Sequence, residues 1–185
     1  VNQPFSWDNG LSKLYVTLSQ DVLYKNPFNN SIFLDNHDNN RFFSMVGEDY
    51  NKFKRGIGML YTTRGIPQLY YGTEILMKNF MNPSDAMVRL NFPGGFPGDA
   101  VNKFEAAGRN AKENEAFNFV KTVANFRKGS PALTKGSTTM FVPKDGYFVY
   151  FRKADNQTIM CVVNSNDKAQ DVQFSDYAEL TNGFK

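Results

Sequence analysis

One cysteine, one histidine and one tryptophan in 185 residues set the first limits on this chain. With Cys161 alone, no disulfide can form within it, and a chain without disulfides fits the cytoplasm and many exported bacterial enzymes equally well. Cys161 stands in the apolar run Ile159-Met160-Cys161-Val162-Val163, where a buried core thiol is expected rather than a reactive one. No run is long and apolar enough to cross a bilayer. The first residues do not read as a signal peptide, and without an initiator Met, Val1 is not expected to be the natural start. The net charge is only +3, with no Lys/Arg cluster, which argues against nucleic acid or an anionic membrane surface as partner and favours a neutral polymer or small neutral ligand. Gly56-Ile57-Gly58 sits inside a helical pattern with no phosphate-binding loop after it, so a nucleotide site is not expected. What is present, 41% hydrophobic and 15% aromatic residues, suffices for a sizeable core.

The apolar spacing divides the chain. Leu11, Leu14, Tyr15, Leu18 and Val22 recur at helical intervals and predict a helix from Leu11 to Tyr24, ending before Pro27. A strand follows at Ser31 to Leu34. Tyr50, Phe53, Ile57, Leu60 and Tyr61 predict a second helix, and a glycine break leads to the strand Ile66 to Tyr71. Such alternation implies parallel strands with helical crossovers, and in that architecture ligands sit beyond the carboxyl ends of the strands. From Lys78 to Arg109 the pattern is irregular, and a long loop is expected. Glu113 to Arg127 reads as a helix with one broad apolar side. After Pro131 the period changes to that of strands, at Thr138 to Val142, Tyr147 to Arg152, Thr158 to Val163 and Gln170 to Phe174. Asp145-Gly146 marks a hairpin in this antiparallel meander.

The most telling stretch is Phe33-Leu34-Asp35-Asn36-His37-Asp38-Asn39-Asn40-Arg41-Phe42, where a short apolar run breaks into acids, amides, an arginine and the only histidine. Polar groups crowded on a strand terminus are costly if buried unpaired, so they fit a cleft where ligand or water satisfies them. A plain polar turn is the competing reading, since Asn and Asp bend and cap the backbone.

Several segments carry a resemblance to the α-amylase family of glycoside hydrolases, closest to its neopullulanase and cyclomaltodextrinase-like members. Phe33-Leu34-Asp35-Asn36-His37-Asp38 resembles the family's fourth conserved region at the end of the seventh barrel strand. Gly65-Ile66-Pro67-Gln68-Leu69-Tyr70-Tyr71-Gly72-Thr73-Glu74 resembles the eighth strand and its exit. Asp85 and Arg89 are similar to a substrate-binding pair in the following loop, and the β-rich tail is similar to the family's C-terminal domain. The resemblance implies the C-terminal portion of a (β/α)8 TIM barrel over residues 1–129, followed by an antiparallel β-sandwich domain, incomplete, over 130–185. Such a barrel needs roughly 250 residues, and only two of its strands are visible here.

The same resemblance implies a starch-degrading glycosidase that cleaves α-1,4-glucosidic bonds in starch, pullulan or cyclodextrins by a retaining mechanism. Asp38 matches the carboxylate that stabilises the transition state, and His37 a neighbouring substrate-binding histidine. Asp85 and Arg89 would bind a more distant sugar, with an exposed ion pair as the competing reading. Trp7, Tyr70, Tyr71, Phe92 and Phe96 could offer flat faces to glucose rings, Tyr71 and the two loop residues foremost. Arg41 is expected to partner nearby acids, and Glu74 to be structural. The family's nucleophile and general acid have no matching motif here, so the segment alone is expected to be inactive. No cofactor is expected in the segment, although calcium is possible in the parent enzyme. A metal at Asp35, His37 and Asp38 is conceivable but short of the usual strong ligand set. The implied partner is an α-glucan oligosaccharide or polysaccharide, with no nucleic acid and no membrane insertion expected; the compartment is left open, a periplasmic or extracellular bacterial setting being favoured over the cytoplasm. The alternative is a stand-alone, non-catalytic glucan-binding or scaffolding remnant.

Overall fold

The structure, a computed structural model, describes residues 6–183. The outermost ends of the two expected segments, 1–5 and 184–185, lie outside the described residues. The chain forms two compact units: residues 29–61 and 65–126 make one, while residues up to 28, 62–64 and those from 127 onward make the other.

The first of these units carries two short parallel strands, β1 (Ser31–Phe33) and β2 (Ile66–Gln68), paired Ser31 to Ile66 and Phe33 to Gln68. Between them run a short helix α2 (Phe42–Met45) and the longer α3 (Tyr50–Thr62). This is the strand, helix, strand alternation that the periodicity predicts. The entry to β2 depends on Gly65. Its φ is +105°, and a Cβ there would stand 2.7 Å from the Asn30 carbonyl oxygen, which accepts the Ile66 N–H at 2.9 Å. Both strands are shorter than expected, because Leu34 and Leu69 leave the ladder as their chains turn into polar segments. Residues 78–110 contain no α-helix or strand, only single 3-10 turns at Asp85–Arg89 and Ala106–Gly108, as the irregular pattern implies.

The core of this unit joins α2, α3 and α4 (Ala111–Lys128) through Phe42, Val46, Phe53, Ile57, Ala116 and Val120. Phe53 and Ile57 are fully buried. Burying such a side chain is worth about 1.5–3 kcal/mol, so these few positions carry much of the unit's stability. Phe53 stacks on Tyr50 with centroids 5.9 Å apart and meets Phe43 edge-on at 6.0 Å.

The other unit holds α1 (Leu11–Ser19), α5 (Pro131–Lys135), α6 (Ala178–Thr181) and an antiparallel sheet of β3 (Ser137–Met140), β4 (Tyr147–Ala154) and β5 (Gln157–Asn164) in that order. β4 is central and buried from Tyr147 through Arg152, so it reads as a continuous run rather than an alternation. Asp145 (φ 51°) and Gly146 (φ 75°) both adopt the left-handed conformation, and Lys144 and Tyr147 exchange backbone hydrogen bonds across them at 3.1 and 2.9 Å. That is the hairpin turn that Asp-Gly signals. The buried Arg152 donates to the carbonyls of Thr62 and Gly136 at 2.9 Å each, and the Tyr150 hydroxyl meets Thr62 Oγ1 at 2.6 Å.

Two expectations are corrected here. The first helix stops at Ser19 and continues as a 3-10 turn, Gln20–Leu23, which leaves Val22 88% exposed rather than on the apolar face. Gln170 to Phe174 is not a strand: the chain stays irregular and enters a 3-10 turn at Phe174–Tyr177 and then α6. The cause is Tyr177, which is buried against the rings of Phe141 (4.7 Å) and Phe151 (6.1 Å) and so draws the chain over one sheet face instead of along its edge.

Two glycines of α3 should separate packing from propensity. A Cβ on Gly56 would collide with the Phe42 ring, whereas one on Gly58 meets nothing within 4 Å. Gly56→Ala should destabilise by about 1–3 kcal/mol through overpacking, and Gly58→Ala should stabilise by about 0.5–1 kcal/mol through helix propensity. Thermal unfolding of both variants checks the opposite signs.

Candidate active site

The site begins with a buried carboxylate. Asp35, just past β1, is 2% exposed; its Oδ2 accepts the Phe42 N–H at 2.8 Å, and the Thr73 hydroxyl donates to it at 3.1 Å. The exit of β1, the start of α2 and the segment after β2 are thereby tied to one group. Because positions 35 and 42 are pinned together, the residues between them must loop outward. Asn36 shapes that loop, its Oδ1 accepting from the Asp38 N–H at 2.8 Å and from the Asn39 side-chain amide at 2.6 Å.

On this outward loop His37 and Asp38 are well exposed, with His37 Nε2 3.2 Å from Asp38 Oδ2. Arg89 reaches them from the 3-10 turn Asp85–Arg89, whose first turn is capped by Ser84. Its guanidinium contacts Asp38 Oδ1 at 3.0 Å and Asp85 Oδ2 at 2.5 Å, and its Nε donates to the His37 carbonyl at 3.0 Å. Tyr71 is adjoining, its hydroxyl donating to the Leu90 carbonyl at 2.8 Å. The structure thus brings His37, Asp38, Asp85 and Arg89 into direct contact and ties Tyr71 to the residue after Arg89. The segment is a tight turn, as the polar-turn reading has it, and it displays a converging set of charges. The Asp85–Arg89 pair is exposed, as the bland reading holds, and it also engages Asp38.

The metal grouping of Asp35, His37 and Asp38 does not form, because both oxygens of Asp35 are engaged in the interior while His37 and Asp38 face solvent. Among the described residues, no three His, Cys, Asp or Glu side chains are placed to hold a metal ion.

Arg41 extends the picture. It is 1% exposed, donates through Nη1 to the Tyr71 carbonyl at 2.6 Å, and lies 4.2 Å from the Tyr70 ring centroid and 4.7 Å from that of Tyr71. Burial raises the Asp35 carboxyl above its ordinary value, opposed by the Phe42 N–H, the Thr73 hydroxyl and the Arg41 charge. Burial likewise raises Glu74, opposed by nearby backbone N–H groups and Arg41. Arg41 thus acts through its charge on both Asp35 and the half-buried Glu74. The reading from sequence overlooked its seat on two tyrosine rings, for which the consecutive Tyr70-Tyr71 at a strand exit is the available signal.

Of the other aromatics, Phe92 packs against Phe104 with centroids 4.3 Å apart and the rings tilted by 36°, and Phe96 is 57% exposed. Trp7 belongs to the other unit, where it lines an apolar cleft of about 400 Å³ with Tyr15, Val16, Val142 and Pro143.

Residues 4–101 match the α-amylase catalytic domain, and residues 138–185 match the cyclomaltodextrinase C-terminal domain. The chain belongs to the α-amylase family. An α-amylase of Niallia circulans is 28% identical over 72% of this chain and 22% of its own length, and a cyclomaltodextrin glucanotransferase of Paenibacillus macerans is 31% identical over 75% and 17%. The crystal structure of an Anoxybacillus α-amylase superposes with a TM-score of 0.69 at 27% identity, covering 88% of this chain and 33% of that one. A cyclomaltodextrin glucanotransferase structure with a three-domain arrangement gives 0.68 at 30% identity, covering 84% and 29%. The α-amylase-family chain therefore spans about a fifth of the length of the curated relatives it matches. Its fold is the end of the catalytic barrel joined to an antiparallel sheet domain.

The raised acid carries a testable pH dependence. Between the ordinary carboxylate value of 3.8 and the raised value, folded Asp35 retains a proton that the unfolded chain has lost. Its contribution to stability is therefore present at low pH and falls as pH rises through the raised value. The stability of wild type relative to Asp35→Asn should decline from pH 4 toward neutrality, as followed by thermal unfolding; a difference that stays constant would refute it.

Proposed function

We propose that this chain is the C-terminal portion of a retaining glycoside hydrolase acting on α-1,4-linked glucans, with residues 1–129 closing the catalytic barrel and 130–185 forming the β domain. The observation that carries the proposal is Asp38: a solvent-facing carboxylate held between His37 and Arg89 on a strand-exit loop. Exposed ion pairs contribute about 0–1 kcal/mol, so stability gives little reason to gather two acids, an arginine and the only histidine there.

In this reading the Asp38 carboxylate accepts hydrogen bonds from hydroxyls of the sugar at the cleavage point. Those bonds shorten as the ring flattens toward an oxocarbenium-like state, so they favour the transition state over the ground state. His37 donates to a hydroxyl of the same sugar. Arg89 holds Asp38 in place and, with Asp85, meets a sugar further along the chain, while Tyr71 offers an apolar face. A retaining mechanism also needs a nucleophile and an acid roughly 5 Å apart across the glycosidic bond. Both are assigned to earlier barrel strands. The acarbose complex of a related Geobacillus thermoleovorans α-amylase, 27% identical with a TM-score of 0.63, supports an oligosaccharide ligand. A periplasmic or extracellular setting accords with a polymeric substrate.

The test is Asp38→Asn in the polypeptide that carries this segment with the rest of the barrel. Loss of hydrogen bonds worth several kcal/mol should lower kcat on starch by about 10²- to 10³-fold, with an unchanged melting temperature. Near-normal turnover would remove Asp38 from the mechanism. His37→Ala should be milder, about tenfold in kcat/KM, since one hydrogen bond to a neutral hydroxyl is lost.

A further inference from the structure

We propose that Arg41 is a positioning residue for this site, setting the place of Arg89, and through it Asp38, by clamping Tyr70 and Tyr71; the proposal rests on the reading of Asp38 given above.

Arg41 touches neither His37 nor Asp38 through any contact the structure shows; its reach is indirect. A fully buried guanidinium is costly unless its donors are met, yet Arg41 Nη2 has no hydrogen-bond partner, nor does the buried Glu74 Oε2. Stability alone is a poor account of a cation kept under those terms. What the guanidinium does hold is the two rings and the Tyr71 carbonyl. The rings meet each other edge-on at 4.6 Å. Their hydroxyls point to the backbone on either side of Arg89: Tyr71 to the Leu90 carbonyl at 2.8 Å, Tyr70 to the Val88 carbonyl at 3.5 Å. Arg89 then spans the His37 carbonyl, Asp38 and Asp85. A continuous series of contacts therefore runs from a buried cation through two rings to the turn that presents an exposed one. The planar fork is essential to it, because a lysine ammonium keeps the charge but cannot lie flat on one ring and bond a carbonyl in the same geometry.

A double-mutant cycle in the full-length polypeptide, assayed with a maltooligosaccharide, tests the coupling. Arg41→Lys should lower kcat/KM about tenfold, in keeping with the cost of a sub-ångström displacement of positioned groups. In an Arg89→Ala background the same substitution should change kcat/KM less than twofold, because the residue it acts through is gone. Tyr71→Phe deletes only the hydroxyl tether and carries the same cycle where Arg41→Lys does not fold. A merely structural Arg41 would give equal factors in both backgrounds, and that outcome overturns the inference. Asp38→Asn run alongside separates the two levels: full activity in that variant overturns the reading of the site, whereas its inactivity with equal Arg41 factors overturns the positioning role alone.

Discussion

The half-site depends on one buried carboxylate. Asp35 has been taken out of water, which disfavours its charged form, and it is kept there by a backbone N–H from α2 and a hydroxyl from beyond β2. Those two bonds close a loop between positions 35 and 42 and bring the exits of both parallel strands to the same place. Without that closure, nothing would require residues 36–41 to bulge outward, and His37 and Asp38 would have no fixed display. Phe42, whose N–H Asp35 accepts, also packs on Phe53 in the core of the unit, so packing and polar geometry here are one arrangement.

The sheet unit solves a different problem. Its central strand is buried along six consecutive residues, so both faces need cover. One face meets Phe141 and Tyr177, and on the other Phe148 meets Tyr15 edge-on at 6.1 Å. The demand for cover on the first face explains why the C-terminal segment folds back as turns and a short helix rather than adding a strand.

How much of this is legible without coordinates follows from which interactions are periodic. Helix α3, helix α4 and the parallel pair rest on apolar spacing, and the Asp145-Gly146 hairpin on local backbone preference; all read directly. Val172 and Phe174 alternate like a strand, but the path of the segment follows the packing of nearby Tyr177 on Phe141 and Phe151, partners distant in sequence that no local pattern encodes. Val22 continues the spacing of α1, because a 3-10 turn and an α-helix place apolar residues at similar intervals over so short a run. At the site, the resemblance to a family supplies His37, Asp38, Asp85 and Arg89 and the aromatic reading supplies Tyr71, and the structure draws them together. The seat of Arg41 on Tyr70 and Tyr71 joins positions about thirty apart through ring faces, an interaction with neither period nor motif.

Arg41 and Arg89 show how the same side chain divides its work by depth. Arg89 is partly exposed and faces two acids, so water screens each pair and the cluster can loosen at little cost. Arg41 is sealed in and meets two rings and a carbonyl in a medium where each contact is stronger and far more expensive to break. The cluster thus combines groups at the surface that can exchange partners with groups beneath that cannot. The two tyrosines are what joins the layers, each presenting an apolar face to the buried cation and a hydroxyl to the turn above it. The series runs from contacts that water cannot screen to an exposed carboxylate whose pairs it does screen.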